Sequence, residues 1–175
     1  MALGVDPVDV EGTWLRYLPH RADPRDRPFP PGNGRWQRGT VVEALYLADA
    51  EPTVWAEWYR HLAERGLAPL YHLPRDFWQY HVSATSVADL SDIHRLRNVG
   101  LEMPAPGRKT WRPYQAVGEQ LWREGWPGLL APSAARPEGR VLCLFVDHAG
   151  GLSVRPFGRP RVVSEPPAPP TGMRT

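Results

Sequence analysis

Three observations predict an α+β fold, with a mixed or antiparallel sheet at its core and helices flanking it. Residues 12–18 and 43–48 have strand character and Val141–Val146 is a continuous apolar run, whereas residues 52–65 and 110–124 follow the helical period. These segments do not alternate strictly, as a doubly wound parallel sheet would require. No Gly-x-Gly-x-x-Gly follows a strand either, because the Gly32-Asn33-Gly34 turn leads into Arg35-Trp36 instead of a helix. A chain of 175 residues, 42% of them hydrophobic, can bury one sizeable core. Residues 1–11 are read as an N-terminal extension, 12–160 as a single domain and 161–175 as a Pro-rich, disordered tail.

In chain order, residues 12–18 alternate as a half-buried strand with Trp14, Arg16 and Leu18 on one face and Thr13, Leu15 and Tyr17 on the other. His20 to Gly39 is rich in Pro, Arg, Asp and Gly, which predicts a long loop, and a loop of that length in a compact domain is a place to look for function. Strand character returns over Glu43–Ala48. A helix follows, with Pro52 in its first turn, where a missing N–H costs nothing, and Gly66 as its stop. Leu67–Ser83 reads as two short strands or one interrupted edge around Pro74. Asp89–Val99 reads as a short helix and Thr110–Glu124 as a longer one closed by Gly125. Gly128–Ser133 is a short apolar segment, Val141–Val146 a strand covered on both faces, and a final short strand follows Gly150-Gly151.

Composition excludes several functions. Net charge is +2 with both signs mixed along the chain and no basic block, which argues against nucleic acid as a partner. The lone Cys143 forms no internal disulfide and sits in an apolar run as a small buried hydrophobe. With no basic segment followed by an apolar stretch at the N-terminus, this predicts a cytoplasmic protein. No window approaches the about 18 apolar residues of a membrane span. The six histidines show no His-Glu-x-x-His or comparable spacing, so no metal site is expected.

The candidate site residues stand at element edges. Glu57 lies beside the apolar stripe of Val54, Trp55, Trp58, Tyr59 and Leu62, and its ordinary reading is a surface acid paired with Arg60 or His61. Arg16, on an apolar strand face, needs an anionic partner, either an internal carboxylate such as Glu57 or a bound diphosphate or carboxylate. Tyr46 shares its face with Ala44 and Ala48, whose small side chains leave room for a stacking platform or for helix packing. Arg35 lies in the long loop, Tyr17 beside Arg16, and Ser133 after the fourth apolar segment. Of the tryptophans, Trp55 and Trp58 read as core and Trp36 as the surface candidate.

The ordered set of Arg16, Gly34-Arg35-Trp36, Leu45-Tyr46-Leu47, Ala56-Glu57 and Ala131-Pro132-Ser133-Ala134 resembles the RES-domain family over residues 12 to 148. The resemblance implies a fold related to ADP-ribosyltransferases and an enzyme that cleaves the nicotinamide–ribose bond of NAD+, as a glycohydrolase or as a phosphorylase using inorganic phosphate. It implies no cofactor, a role as the toxin of a toxin–antitoxin pair, and a cognate antitoxin as partner. It places Glu57, Arg16 and Tyr46 in catalysis, and Arg35, Ser133 and Tyr17 in substrate binding. The sequence departs from the family where a polar Ser-Gly element is usual and Pro28-Phe29-Pro30-Pro31-Gly32 stands instead. The alternatives are an ADP-ribosyltransferase acting on a macromolecule and a non-catalytic interaction module rich in tryptophan.

Overall fold

A computed structural model describes residues 2–148 and 150–175. Its elements run β1 (Pro7–Pro19), β2 (Ala44–Ala48), α1 (Glu51–Ala63), β3 (Arg75–Asp89), α2 (Ile93–Asn98), α3 (Trp111–Arg123), β4 (Gly128–Pro132), β5 (Arg140–Phe145) and β6 (Leu152–Val163). The sheet order β1-β2-β5-β4-β3-β6 closes on itself because β1 also pairs with β3. Among the described residues only β3 and β4 are parallel partners; the other pairings are antiparallel. The result is a mixed sheet curled into a barrel, with β6 added outside β3. This agrees with the α+β expectation.

Inside the barrel, Val10, Trp14, Leu47, Tyr80, Val82, Leu130, Leu142 and Leu144 form one apolar core. A second core lies outside, where α3 packs Tyr114, Val117 and Leu121 against Trp36, Val42, Cys143 and Phe145. A third joins Val54, Trp55, Trp58 and Leu62 of α1 to Ala48 and Phe77. β5 faces two of these cores, which is why its sequence is a continuous apolar run. Cys143 is fully buried, and burial pushes its thiol up to about 12, so it is an inert core residue.

Several boundaries differ from the sequence reading. β1 starts at Pro7, so residues 7–11 of the supposed N-terminal extension pair with β3, bulging between Val8 and Val10. Pro74 does not split a strand in two; it ends a short helical turn at Pro69–His72 and β3 then runs uninterrupted for 15 residues. The final strand is 12 residues long, because an edge strand tolerates Pro156 and Pro160 and Gly158, at φ +70°, absorbs the bulge. The tail beyond it is not free chain. Tyr59 Oη donates to the Pro167 carbonyl, and Arg174 N donates to Ala135 O at 2.6 Å. Trp36 is not at the surface: it is 1% exposed, edge-on to Tyr114 with ring centroids 5.3 Å apart. No helix among the described residues is long and apolar enough to cross a membrane.

Candidate active site in the split between two strands

β1 and β2 are neighbours that barely touch. Leu15 opposite Ala48 is their one paired position, while β2 pairs with β5 along all of Ala44–Ala48. The two strands therefore splay apart, leaving the β2 edge from Ala44 to Leu47 without a strand partner on that side. A cavity of about 440 Å³ opens into this split, with Arg16 and Tyr17 on one bank, Tyr46 on the other, and Glu57 of α1 closing one end. That volume falls in the range of small-molecule sites.

Glu57 is the most constrained group in the cavity. Its Oε1 accepts from Ser133 Oγ at 2.6 Å and from Ala135 N at 3.4 Å, while Oε2 accepts from Arg60 Nε at 2.9 Å and Nη2 at 2.7 Å. Burial works to raise its pKa, but Arg60 first, then the bonds from Ser133, Arg60 and Ala135, outweigh it and hold the carboxyl below the ordinary glutamate range. The surface pairing with Arg60 is thus present, yet the Glu57 side chain is only 20% exposed and keeps a face in the cavity. Arg60 is itself shared, its Nη1 donating to Glu64 Oε1 at 2.6 Å, and Glu64 accepts in turn from Gly107 N at 2.8 Å.

Ser133 stands behind this carboxylate. It is 0% exposed, and its Oγ, besides donating to Glu57, accepts from Ala135 N at 3.1 Å and Arg136 N at 3.0 Å. With every bond of the hydroxyl made inside the protein, Ser133 orients Glu57 in this structure, whereas direct contact with a substrate was the expectation.

Arg16 projects from β1 into the barrel mouth, near the Tyr80 hydroxyl. Among the described residues it makes no ion pair, so the internal pairing with Glu57 considered for it does not occur. Arg35 is also without a carboxylate partner there; it donates to Thr110 Oγ1 at 3.1 Å and Ala105 O at 2.7 Å and lies over the Tyr114 ring. Burial first, then Arg60, lowers its pKa. Two guanidiniums lining one cavity, neither neutralised by the protein, form a natural anion site.

Tyr46 Oη donates to Gln37 Oε1 and accepts from Trp36 N at 3.0 Å, so it anchors the loop that carries Arg35. A Cβ on Gly34 would collide with that hydroxyl, which explains glycine there. Burial first, then the neighbouring Cys143, keeps Tyr46 protonated well above the ordinary tyrosine range. From α3 the same loop is held by Gln115, donating to Gly34 O at 2.9 Å, and by the buried Glu119, which accepts from Arg38 Nε at 2.7 Å and Nη2 at 2.6 Å. Tyr17 stacks on Trp55 with centroids 6.4 Å apart and presents its ring to the cavity.

All six expected residues therefore converge, five as cavity lining and Ser133 as support. Sequence reasoning missed other lining residues, Arg27, His61 and Trp111 among them. Arg27 pairs with Glu43 at 3.2 Å across the cavity edge. His61 follows Arg60 on α1, and that adjacency was the available signal; burial, then Arg65, Arg60 and Arg108, drives its pKa down to about 4. Among the described residues no group of three or more His, Cys, Asp or Glu is arranged to hold a metal ion.

Comparison with known proteins places this geometry. The Mycobacterium tuberculosis (strain ATCC 25618 / H37Rv) protein named "Probable NAD(+) phosphorylase Rv3189" is 27% identical over 146 residues, covering 80% of this chain. The match spans 66% of that relative's length, just under two thirds. A chain of the M. tuberculosis MbcT-MbcA toxin-antitoxin complex shares the fold with a TM-score of 0.70 at 20% identity, covering 91% of this chain and 87% of its own. The RES domain model matches residues 10–164, all of the barrel but the first three residues of β1, and the chain belongs to the RES domain family.

Proposed function

We propose that this protein cleaves the nicotinamide–ribose bond of NAD+, transferring the ADP-ribosyl group to inorganic phosphate or water. The observation that carries the proposal is Glu57. It is a mostly buried, ionised carboxylate, locked by Ser133 and Arg60, at the end of a cavity whose other walls hold two unneutralised guanidiniums. Breaking the bond builds positive charge on the ribose ring, and a fixed carboxylate beside that ring stabilises it without having to reorganise. Arg16 and Arg35 suit the diphosphate, Tyr17 and Tyr46 the rings and their edges. Cationic nicotinamide leaves as a neutral molecule, so the step asks for neither a metal nor a strong general acid, and NAD+ enters as substrate, not cofactor.

Likeness to the relative named as an NAD(+) phosphorylase supports phosphate as the acceptor. Likeness to a chain of a toxin–antitoxin complex supports a cytoplasmic toxin restrained by a cognate antitoxin. The splayed strands around a ligand-sized cleft are also what an ADP-ribosyltransferase-like architecture would need. Incubating the protein with NAD+, with and without phosphate, and resolving the products tests the proposal. ADP-ribose 1-phosphate formed only with phosphate identifies a phosphorylase, and ADP-ribose in either condition a glycohydrolase. Glu57→Ala should reduce turnover by about 10³-fold or more while leaving the melting transition in place; full NAD+ consumption by that variant sinks the assignment.

A further inference from the structure

A second cavity, of about 270 Å³, lies in the barrel mouth beside the first. The two share Arg16, Arg27 and Leu45 as walls. Arg25 and Asp26 of the long loop and Tyr80, Leu144, Leu152, Val154 and Pro156 of the sheet line most of the rest of the second cavity. Register explains why the sheet side chains meet: Ala84, Val82 and Tyr80 of β3 lie opposite Leu152, Val154 and Pro156 of β6, so all of them face the barrel interior. None of Glu57, Arg60 or Ser133 borders this space.

Two cavities thus flank one partition that holds Arg16, without an ion pair among the described residues, and Arg27, held by Glu43. The larger is bordered by the Glu57 carboxylate, and the smaller has one largely apolar wall of side chains from β3, β5 and β6. A dinucleotide has the matching layout, two ring systems joined by a diphosphate. Its cationic nicotinamide riboside belongs with Glu57, its diphosphate with Arg16, which borders both cavities, and its uncharged purine with an apolar wall that gains from burying a flat ring. We propose that the second cavity is the subsite for the purine nucleoside half of the substrate. This assignment rests on the NAD+ reading above and adds to it a direction of binding and a reason for preferring a dinucleotide over nicotinamide mononucleotide.

Val154→Trp would fill the subsite from its β6 wall. Wild type and variant are compared for the KM and kcat of NAD+ cleavage, and for inhibition by AMP and by nicotinamide mononucleotide. The expected result is a KM raised about tenfold, with a smaller effect on kcat, and AMP inhibition weakened by a similar factor. Inhibition by nicotinamide mononucleotide should persist, which also shows that the variant is folded. An independent measurement needs no variant: photolabelling of the wild type with 8-azido-AMP, followed by peptide mapping, should mark residues 144–156. Active wild type with an unchanged variant KM, or with label confined to α1 or α3, overturns the subsite and leaves the NAD+ reading standing. Wild type that neither binds nor consumes NAD+ overturns both.

Discussion

Ser133 and Glu57 lie 76 positions apart and share a hydrogen bond of 2.6 Å. Ser133→Ala removes that bond and also strips the Ala135 and Arg136 amides of their acceptor. The fully buried site should lose about 1–3 kcal/mol of stability, read by urea denaturation. A carboxylate that loses a donor to its ionised form titrates higher, so the acid limb of the kcat/KM profile should move to higher pH; an unmoved limb would show that Ser133 does not tune Glu57. His61 gives a separate pH signature. Its pKa falls from an ordinary 6.5 to about 4 on folding, so between those values the unfolded chain binds a proton that the folded one refuses. Stability should therefore decline as pH drops from above 6.5 towards about 4, and His61→Gln should flatten the decline in denaturation midpoints. The same slope in the variant would assign the decline to other groups. Arg60 was readable beside Glu57 because three residues make nearly one helical turn, whereas Ser133 could be placed only through the order of motifs, since nothing local encodes a contact across 76 positions.

At the scale of elements, α3 holds the Arg35 loop through backbone proximity as well as side chains. Gly118 packs so closely on Trp36 that a Cβ would run into the Trp36 carbonyl oxygen. Gly118→Ala should cost about 1–3 kcal/mol and raise KM for NAD+, because the displaced loop carries Arg35. Thermal melting and steady-state kinetics together check this, and a melting loss without a KM change would separate the loop's packing from its function. The helices were legible in the sequence for local reasons. Gly66 at φ +66° ends α1, and Asp92 caps α2 by accepting from His94 N and Arg95 N. The strands were less so. Pro156, Gly158 and Pro160 look like breakers, and only the location of β6 at an edge makes them harmless. Trp36 looked like a loop tryptophan because the core that buries it comes from α3, about eighty residues on.

For the whole molecule, closure of the sheet decides where the site is. The ring closes through β1 and β3, whose register runs from Pro7 opposite Ala88 to Pro19 opposite Arg75, and this long seam lets β1 and β2 remain apart. No stretch of sequence shows that seam, because its partners are far apart in the chain and only their pairing creates the split. The tail belongs to the same body. Truncation after Ser164 removes the bonds to Tyr59 and Ala135 and should lower stability by about 1–2 kcal/mol, a few degrees in Tm, without abolishing the fold. Loss of the cooperative transition would make the tail integral. The sharing of Arg60 between Glu57 and Glu64 has a further effect at this scale. Two carboxylates around one guanidinium leave that cluster one negative charge in excess, with Arg35 close enough to feel Glu57, Glu64 and Arg60, and Arg16 on the cavity wall. A carboxylate set among guanidiniums in this way draws a cationic ring and an anionic diphosphate to neighbouring points of one cleft. In the proposed reaction, bond cleavage discharges the pyridinium, so the attraction that positioned the leaving group vanishes as it becomes product, and the cleft keeps its electrostatic hold only on the half that carries the diphosphate.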